Sequence, residues 1–377
     1  MMKKLLNGFL LAALLTGCSE PIDPLEQELQ SMSLEEKVGQ MFILRPESLD
    51  RDVTFESPED LTVIGLQEVN ERMRLTAQKY PVGGIILFAH NIKDEEQLER
   101  FTQELRELPG HPLLYIDEEG GRVARIGNHP AFSVPKIPSA AALAAPGRTK
   151  DVYDAAFQIG TYLKRYGFDV NFAPVADVNT NPNNVVIGNR AFSNDPVQAA
   201  PMVKSYLKGL QKAGIEGCIK HFPGHGDTHA DTHFGYAMSR KTWEEIDACE
   251  MIPFKAGIKA GARMIMSAHI SLPNVTGSNI PCTLSPMIMT DKLRGELGYE
   301  GIIVSDAMEM GAIFRLFPVQ DACVIAIKAG VDMLLCVKDY PLVFETVMNA
   351  IRSGDIPESR IDQSVRRILL LRHDLGR

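Results

Sequence analysis

Fourteen consecutive residues, Lys220-His221-Phe222-Pro223-Gly224-His225-Gly226-Asp227-Thr228-His229-Ala230-Asp231-Thr232-His233, carry four of the chain's nine histidines and two aspartates. Three arrangements could account for that density. On a helix, His221, His225, His229 and His233 would line one face, as metal ligands do. Pro223, Gly224 and Gly226 oppose a helix there. A polar surface loop would explain the glycines but not the crowding of titratable groups. A catalytic loop explains both. Asp231 and His233, two apart, suit a carboxylate that fixes an imidazole's tautomer and leaves its second nitrogen for proton transfer. Ile215 to Ile219, just upstream, is apolar as a buried strand would be, so chemistry is expected in the loop that leaves it. The catalytic reading is preferred, and no residue is assigned as a metal ligand.

Lys220 to Gly226 followed by Asp231-Thr232-His233 resembles the motif of family 3 glycoside hydrolases, specifically their bacterial β-N-acetylglucosaminidase branch. Thr232 stands where that motif usually has Ser. The likeness runs in order along nearly all of the chain after residue 30. Ile116 to Arg125 is similar to the family's Asp-x-Glu-Gly-Gly-x-Val-x-Arg element, with what reads as one extra acidic residue before the glycines. By that resemblance Asp117 and Arg125 bind sugar hydroxyls in the terminal subsite. Asn189-Arg190-Ala191-Phe192 resembles the family's Arg-bearing loop, making Arg190 a further sugar contact, and Lys220 and His221 match its paired substrate-binding residues. Val304 to Met310 resembles the nucleophile segment, which implies Asp306 as nucleophile. The same resemblance implies His233 as acid and then base, with Asp231 orienting it.

The elements that must position these residues follow a regular beat. Apolar, strand-like runs occur at Val38–Leu44, Val82–Phe88, Pro112–Asp117, Asp169–Asp177, Cys218–Phe222, Arg263–His269, Gly301–Asp306 and Asp332–Val337. Helix-like segments precede and separate them: Leu25–Lys37, Gly65–Tyr80, Asp94–Leu108, Thr149–Tyr166, Asp195–Ala213, Thr242–Ala260, Ser285–Leu297 and Val319–Ala329. Tyr340–Ser353 and Glu358–His373 close the chain. Eight strands alternating with helices predict an α/β fold, a single (β/α)8 barrel. Gly83-Gly84 precedes its strand rather than following one, so no dinucleotide fingerprint is present and no cofactor is expected. In such a barrel the C-terminal strand ends carry the chemistry, and Asp117, Asp177, Lys220-His221, His269 and Ser305-Asp306 all fall there.

Some neighbours are given lesser parts. Gly224 and Gly226 read as hinges. His225 and Asp227 are expected to bridge loop backbone groups, and His229 to be solvated. Asp177 and His269 are placed on the pocket floor, or paired with each other or with Lys220. Trp243, the only tryptophan, is expected to pack at a helix start, and Met308 and Met310 to pack apolar surface.

Lys3 and Lys4, an apolar run from Leu5 to Leu15, and Leu15-Thr16-Gly17-Cys18 match a bacterial lipoprotein signal. The expected organisation is a signal peptide over 1–17, a linker over 18–30 and the barrel over 31–377. Cys18 would be lipidated, tethering an exported domain to a membrane without a spanning helix. Removing 1–17 takes away two lysines and no acid, leaving 37 basic against 48 acidic residues, a net of −11. That charge argues against a nucleic-acid partner and shows no basic patch for anionic lipid. The remaining five cysteines read as buried thiols, or as supplying one disulfide in an exported protein.

The expected function is a retaining exo-β-N-acetylglucosaminidase, monomeric, acting on a small carbohydrate such as a peptidoglycan fragment or chitin oligosaccharide. Its rivals are a β-N-acetylglucosaminide phosphorylase, a β-glucosidase of the same family, a metal-dependent hydrolase built on the histidine loop, and a non-catalytic cell-wall-binding lipoprotein.

Overall fold

In the computed structural model, residues 23–50, 65–231 and 236–377 are described. Eight parallel strands close into a barrel: Phe42–Leu44, Gly84–Leu87, Leu113–Ile116, Val170–Asn171, Glu216–Phe222, Met264–Ser267, Ile302–Ala307 and Met333–Leu335. Each pairs with its neighbours in sequence, and the first pairs with the eighth through Phe42↔Leu334 and Ile43↔Leu335. Strands one to six and the eighth are buried throughout, as expected of strands covered by helices outside and packed side chains within. The seventh is buried until its last two residues, Asp306 and Ala307. The predicted (β/α)8 architecture is therefore the one observed.

Local chemistry shortens several predicted elements. The expected helix Leu25–Lys37 is two helices, Pro24–Ser31 and Leu34–Gln40, because Ser33 caps the second in a reciprocal capping box with Glu36. That second helix consumes Val38 to Gln40, so the first strand begins only at Phe42. Gly65–Tyr80 is helical only from Glu71, where the Asn70 side chain accepts from Met73 N–H. Asp169–Asp177 forms a ladder only at Val170 and Asn171; Pro174 lies in the irregular stretch that follows, which leaves Asp177 on a loop. Thr242–Ala260 divides into Trp243–Asp247 and Met251–Lys259, since Pro253 has no N–H to carry the first helix's ladder forward.

The last helix, Glu358–Asp374, lies across the N-terminal ends of the strands. Arg360 and Arg367 reach Asp332 before the eighth strand, Arg372 donates to the carbonyl of His111 before the third (2.8 Å), and Arg377 pairs with Asp169 before the fourth (2.9 Å). The helix Pro24–Ser31 packs on this floor, with Glu26 paired to Arg366 and Glu28 to His373. The opposite end, where the strands finish, is left for the site.

Candidate active site

The third strand ends at Ile116, and the chain continues as a short hairpin, Glu118–Gly120 against Val123–Ala124. Alternation along an extended chain places Asp117 and Glu119 on one face and Glu118 on the other. Buried Asn171, ending the fourth strand, fixes this orientation: its Oδ1 accepts from Glu118 N–H (2.9 Å) and its Nδ2 donates to the Glu118 carbonyl (2.8 Å). Glu118 turns inward, accepting from the N–H groups of Arg125 (2.6 Å), Ile126 (3.0 Å) and Gly127 (2.8 Å) and from the Tyr162 hydroxyl (2.8 Å). Burial pushes its carboxyl up, with those donors pulling the other way. The apparent extra acid is thus no insertion. Glu118 occupies the variable position between Asp117 and Glu119, and its work is to hold the segment that presents Arg125.

On the other face the charges interlock. Lys220 Nζ lies 2.7 Å from both Asp117 Oδ1 and Glu119 Oε1. Arg190 grips Glu119 with two parallel bonds, Nε to Oε2 (2.9 Å) and Nη2 to Oε1 (2.7 Å). Arg125 Nη2 stands 3.5 Å from Asp117 Oδ2, with its guanidinium 5.5 Å from the Phe88 ring. His221 Nδ1 is 2.7 Å from Asp177 Oδ2, while its Nε2 faces Arg190 Nη2 at 3.5 Å. Burial would raise the Asp117 and Glu119 carboxyls, but the adjacent cations overcome it and hold both low, Glu119 down to about 2. Burial likewise opposes the charge on Lys220, and its two carboxylate partners keep it raised. Asp177 is held below the ordinary carboxylate range by His221 and the N–H of His225, again against burial. Three carboxylates, three cations and an imidazole form a nearly neutral, pre-ordered set of donors and acceptors, suited to fixing the hydroxyls of one sugar.

Asp306 stands at the end of the seventh strand, half-buried, its Oδ1 accepting from Ala307 N–H (2.8 Å). His269 supports that strand end by bonding the Ala307 carbonyl through Nε2 (3.0 Å) and Thr283 Oγ1 through Nδ1 (2.9 Å). Burial lowers the pKa of both His225 and His269, and both lie near enough to Asp306 for its charge to oppose the shift.

The structure therefore gathers Asp117, Arg125, Arg190, Lys220 and His221 at the strand ends that also carry Asp306. Asp231 lies in the short strand His229–Asp231, paired to Tyr236–Met238. His233 and Cys18 lie outside the described residues. Asp177 pairs with His221, not with His269 or Lys220. Among the described residues, the Asp227 carboxylate meets the side chains of Thr180, Ser239 and Lys241. His221 lies in the strand that ends at Phe222 and His225 follows in a loop, so the four-residue spacing of these histidines is not helical. Trp243 does open a helix, donating to Glu296 (2.6 Å). Met308 is fully buried, whereas Met310 is 38% exposed. Gly224 and Gly226 are close-packing points: a Cβ would fall 2.4 Å from Glu250 Cγ at one and 1.9 Å from the Val178 carbonyl oxygen at the other. Glu119 and Asn171 were not singled out by sequence; the position of Glu119, two residues beyond Asp117 on an extended chain, was the signal available.

Residues 33–371 match the family described as "Glycosyl hydrolase family 3 N terminal domain". The chain belongs to glycosyl hydrolase family 3. Among this family-3 chain's relatives, β-hexosaminidase A of Pseudoalteromonas piscicida is 35% identical over 325 residues, spanning 79% of this chain and 54% of that protein. β-Hexosaminidase LpqI of Mycobacterium tuberculosis is 31% identical over 332 residues, spanning 84% and 83% respectively. The structure of a family 3 β-N-acetylglucosaminidase from Paenibacillus sp. str. FPU-7 aligns with a TM-score of 0.82 at 33% identity, over 92% of this chain and 63% of that one. The family-3 barrel described above thus spans about half to two thirds of the length of two of these relatives.

Proposed function

We propose that this protein is a retaining exo-β-N-acetylglucosaminidase that removes terminal β-linked N-acetylglucosamine from peptidoglycan fragments or chitin-type oligosaccharides. The observation that carries the reading is the shared location of Asp306 and the Asp117–Lys220–Glu119–Arg190–His221 network at the C-terminal mouth of one barrel. The names of the relatives point to the same sugar. In the first step the Asp306 carboxylate bonds to the anomeric carbon as the glycosidic C–O bond breaks, and His233, oriented by Asp231, gives its proton to the leaving oxygen. In the second, water attacks the anomeric carbon, the bond to Asp306 breaks, and His233 takes the proton from water. A carboxylate on a strand end is rigidly aimed, as in-line attack requires.

Lipidation at Cys18 would tether the protein outside the inner membrane. The described chain begins at Asp23, on the barrel floor, and five residues span at most about 18 Å. The tether would then leave from the face opposite the mouth, which opens away from the membrane.

The test is chromophore release from an aryl β-N-acetylglucosaminide by protein starting after Cys18, in phosphate-free buffer. Turnover that vanishes in Asp306→Ala supports the reading. Turnover that appears only with phosphate, yielding a sugar 1-phosphate, would replace it with a phosphorylase.

A further inference from the structure

The hairpin that carries Asp231 is held at its open end by charged groups that play no part in the chemistry above. Asp227 precedes the hairpin and Lys241 follows it. The Asp227 carboxylate accepts from Thr180 Oγ1 (3.3 Å) and Ser239 Oγ (2.6 Å) and lies 3.5 Å from Lys241 Nζ. Lys241 Nζ donates to Glu250 Oε1 (2.5 Å), a carboxylate whose side chain is 2% exposed. Glu250 packs beneath Gly224, where any side chain would displace it. Its other oxygen, Oε2, is buried without a hydrogen-bond partner among the described residues. One run of contacts therefore joins the exit of the fifth strand, the return of the hairpin and the start of the helix Met251–Lys259.

The hairpin itself is short. Its ladder consists of His229↔Met238, Ala230↔Ala237 and Asp231↔Tyr236. The return strand is fastened to the loop after the sixth strand, since Ser271 N–H donates to the Ala237 carbonyl (3.0 Å) and Ser239 N–H to the Ser271 carbonyl (3.1 Å). A one-residue slip of the outgoing strand would turn Asp231 to the opposite face. Three pairs resist such a slip weakly, so the register depends on what fixes the outgoing strand at Asp227. That anchor is Thr180, Ser239 and Lys241 on Asp227, with Asn181 and Asn184 holding the adjacent Thr228, and Lys241 is in turn held by Glu250.

We propose that Lys241, clamped between Asp227 and Glu250, is a positioning residue that sets the register of the Asp231 hairpin and so the placement of the acid/base group. This rests on the dyad assigned above. Help from a general acid matters most when the leaving group is a poor one. Loss of the clamp should therefore penalise basic leaving groups selectively.

The test compares wild type, Lys241→Arg and the double variant Lys241→Met/Glu250→Gln on aryl β-N-acetylglucosaminides of graded leaving-group pKa. The double variant avoids stranding a buried carboxylate. Its kcat/KM, which reports the first step alone, should fall about tenfold or more with unactivated phenols and less than about twofold with dinitrophenol, with Lys241→Arg recovering most of the loss. A uniform loss across the series, or none, would overturn the proposal. Amide hydrogen exchange over residues 229–231 and 236–238 needs no turnover and should be faster in the double variant. Unchanged exchange would overturn the clamp even in a protein that cleaves no glycoside, whereas a wild type inert to every substrate would overturn the functional reading alone.

Discussion

Glu119→Gln is the sharpest perturbation of the binding network. The wild-type carboxylate is shared by two cations, buried Lys220 at 2.7 Å and half-buried Arg190 through two bonds, and its own side chain is 7% exposed. Gln keeps the shape and removes the charge. The Glu119 carboxyl is held at about 2 against 4.5 for an unperturbed glutamate. At about 1.4 kcal/mol per pH unit, that difference amounts to on the order of 3 kcal/mol at neutral pH. The raised Lys220 and Arg190 are the same attraction seen from the cations and are not added. Because the folded-state value is depressed, the contribution is complete above the unfolded value of 4.5 and is lost as pH falls through about 2. The stability gap between wild type and Glu119→Gln should therefore be about 3 kcal/mol at neutral pH and narrow to about 2 kcal/mol near pH 3.5. Equilibrium urea unfolding followed by the fluorescence of Trp243, the single tryptophan, reads both values. A gap under about 1 kcal/mol at neutral pH, or one that does not change with pH, would refute the claim that Glu119's charge holds the two cations.

Three further outcomes are expected. Asp177→Asn removes a charged partner from His221, and kcat/KM for an aryl β-N-acetylglucosaminide should fall roughly tenfold to a hundredfold, with stability at neutral pH falling too because the fold holds that carboxyl low; unaltered kinetics would remove the pair from the site. Glu118→Ala strands three backbone N–H groups and the Tyr162 hydroxyl, and should cost about 3 kcal/mol or more in urea unfolding while raising KM through the displaced Arg125; a neutral effect would show that the hairpin is held otherwise. Cys18→Ser in the full chain should move the protein from the membrane fraction to the soluble exported fraction, and continued membrane association would overturn the tether.

The alternation of apolar runs with helix-like segments was enough to specify eight strands and a barrel, because a parallel strand buried on both faces must be apolar along its length. Residues at the ends of those runs could be placed at the mouth from the same pattern, as Asp117, Lys220, His221 and Asp306 were. Boundaries were less legible, since they depend on single residues such as the Ser33 cap, Asn70 and Pro253, whose local bonds compete with the longer apolar pattern. What only the tertiary structure decided was the pairing of charges. Glu118 and Glu119 are adjacent and chemically alike, yet one is consumed in holding a hairpin and the other bridges Lys220 and Arg190, 101 and 71 residues away. Likewise Asp177 was legible as a strand-end carboxylate, but its choice of His221 over Lys220 or His269 was not. Sequence determines which face of an extended segment a side chain occupies; which opposite charge waits there is set by the closure of the barrel, which brings strands three, four and five side by side.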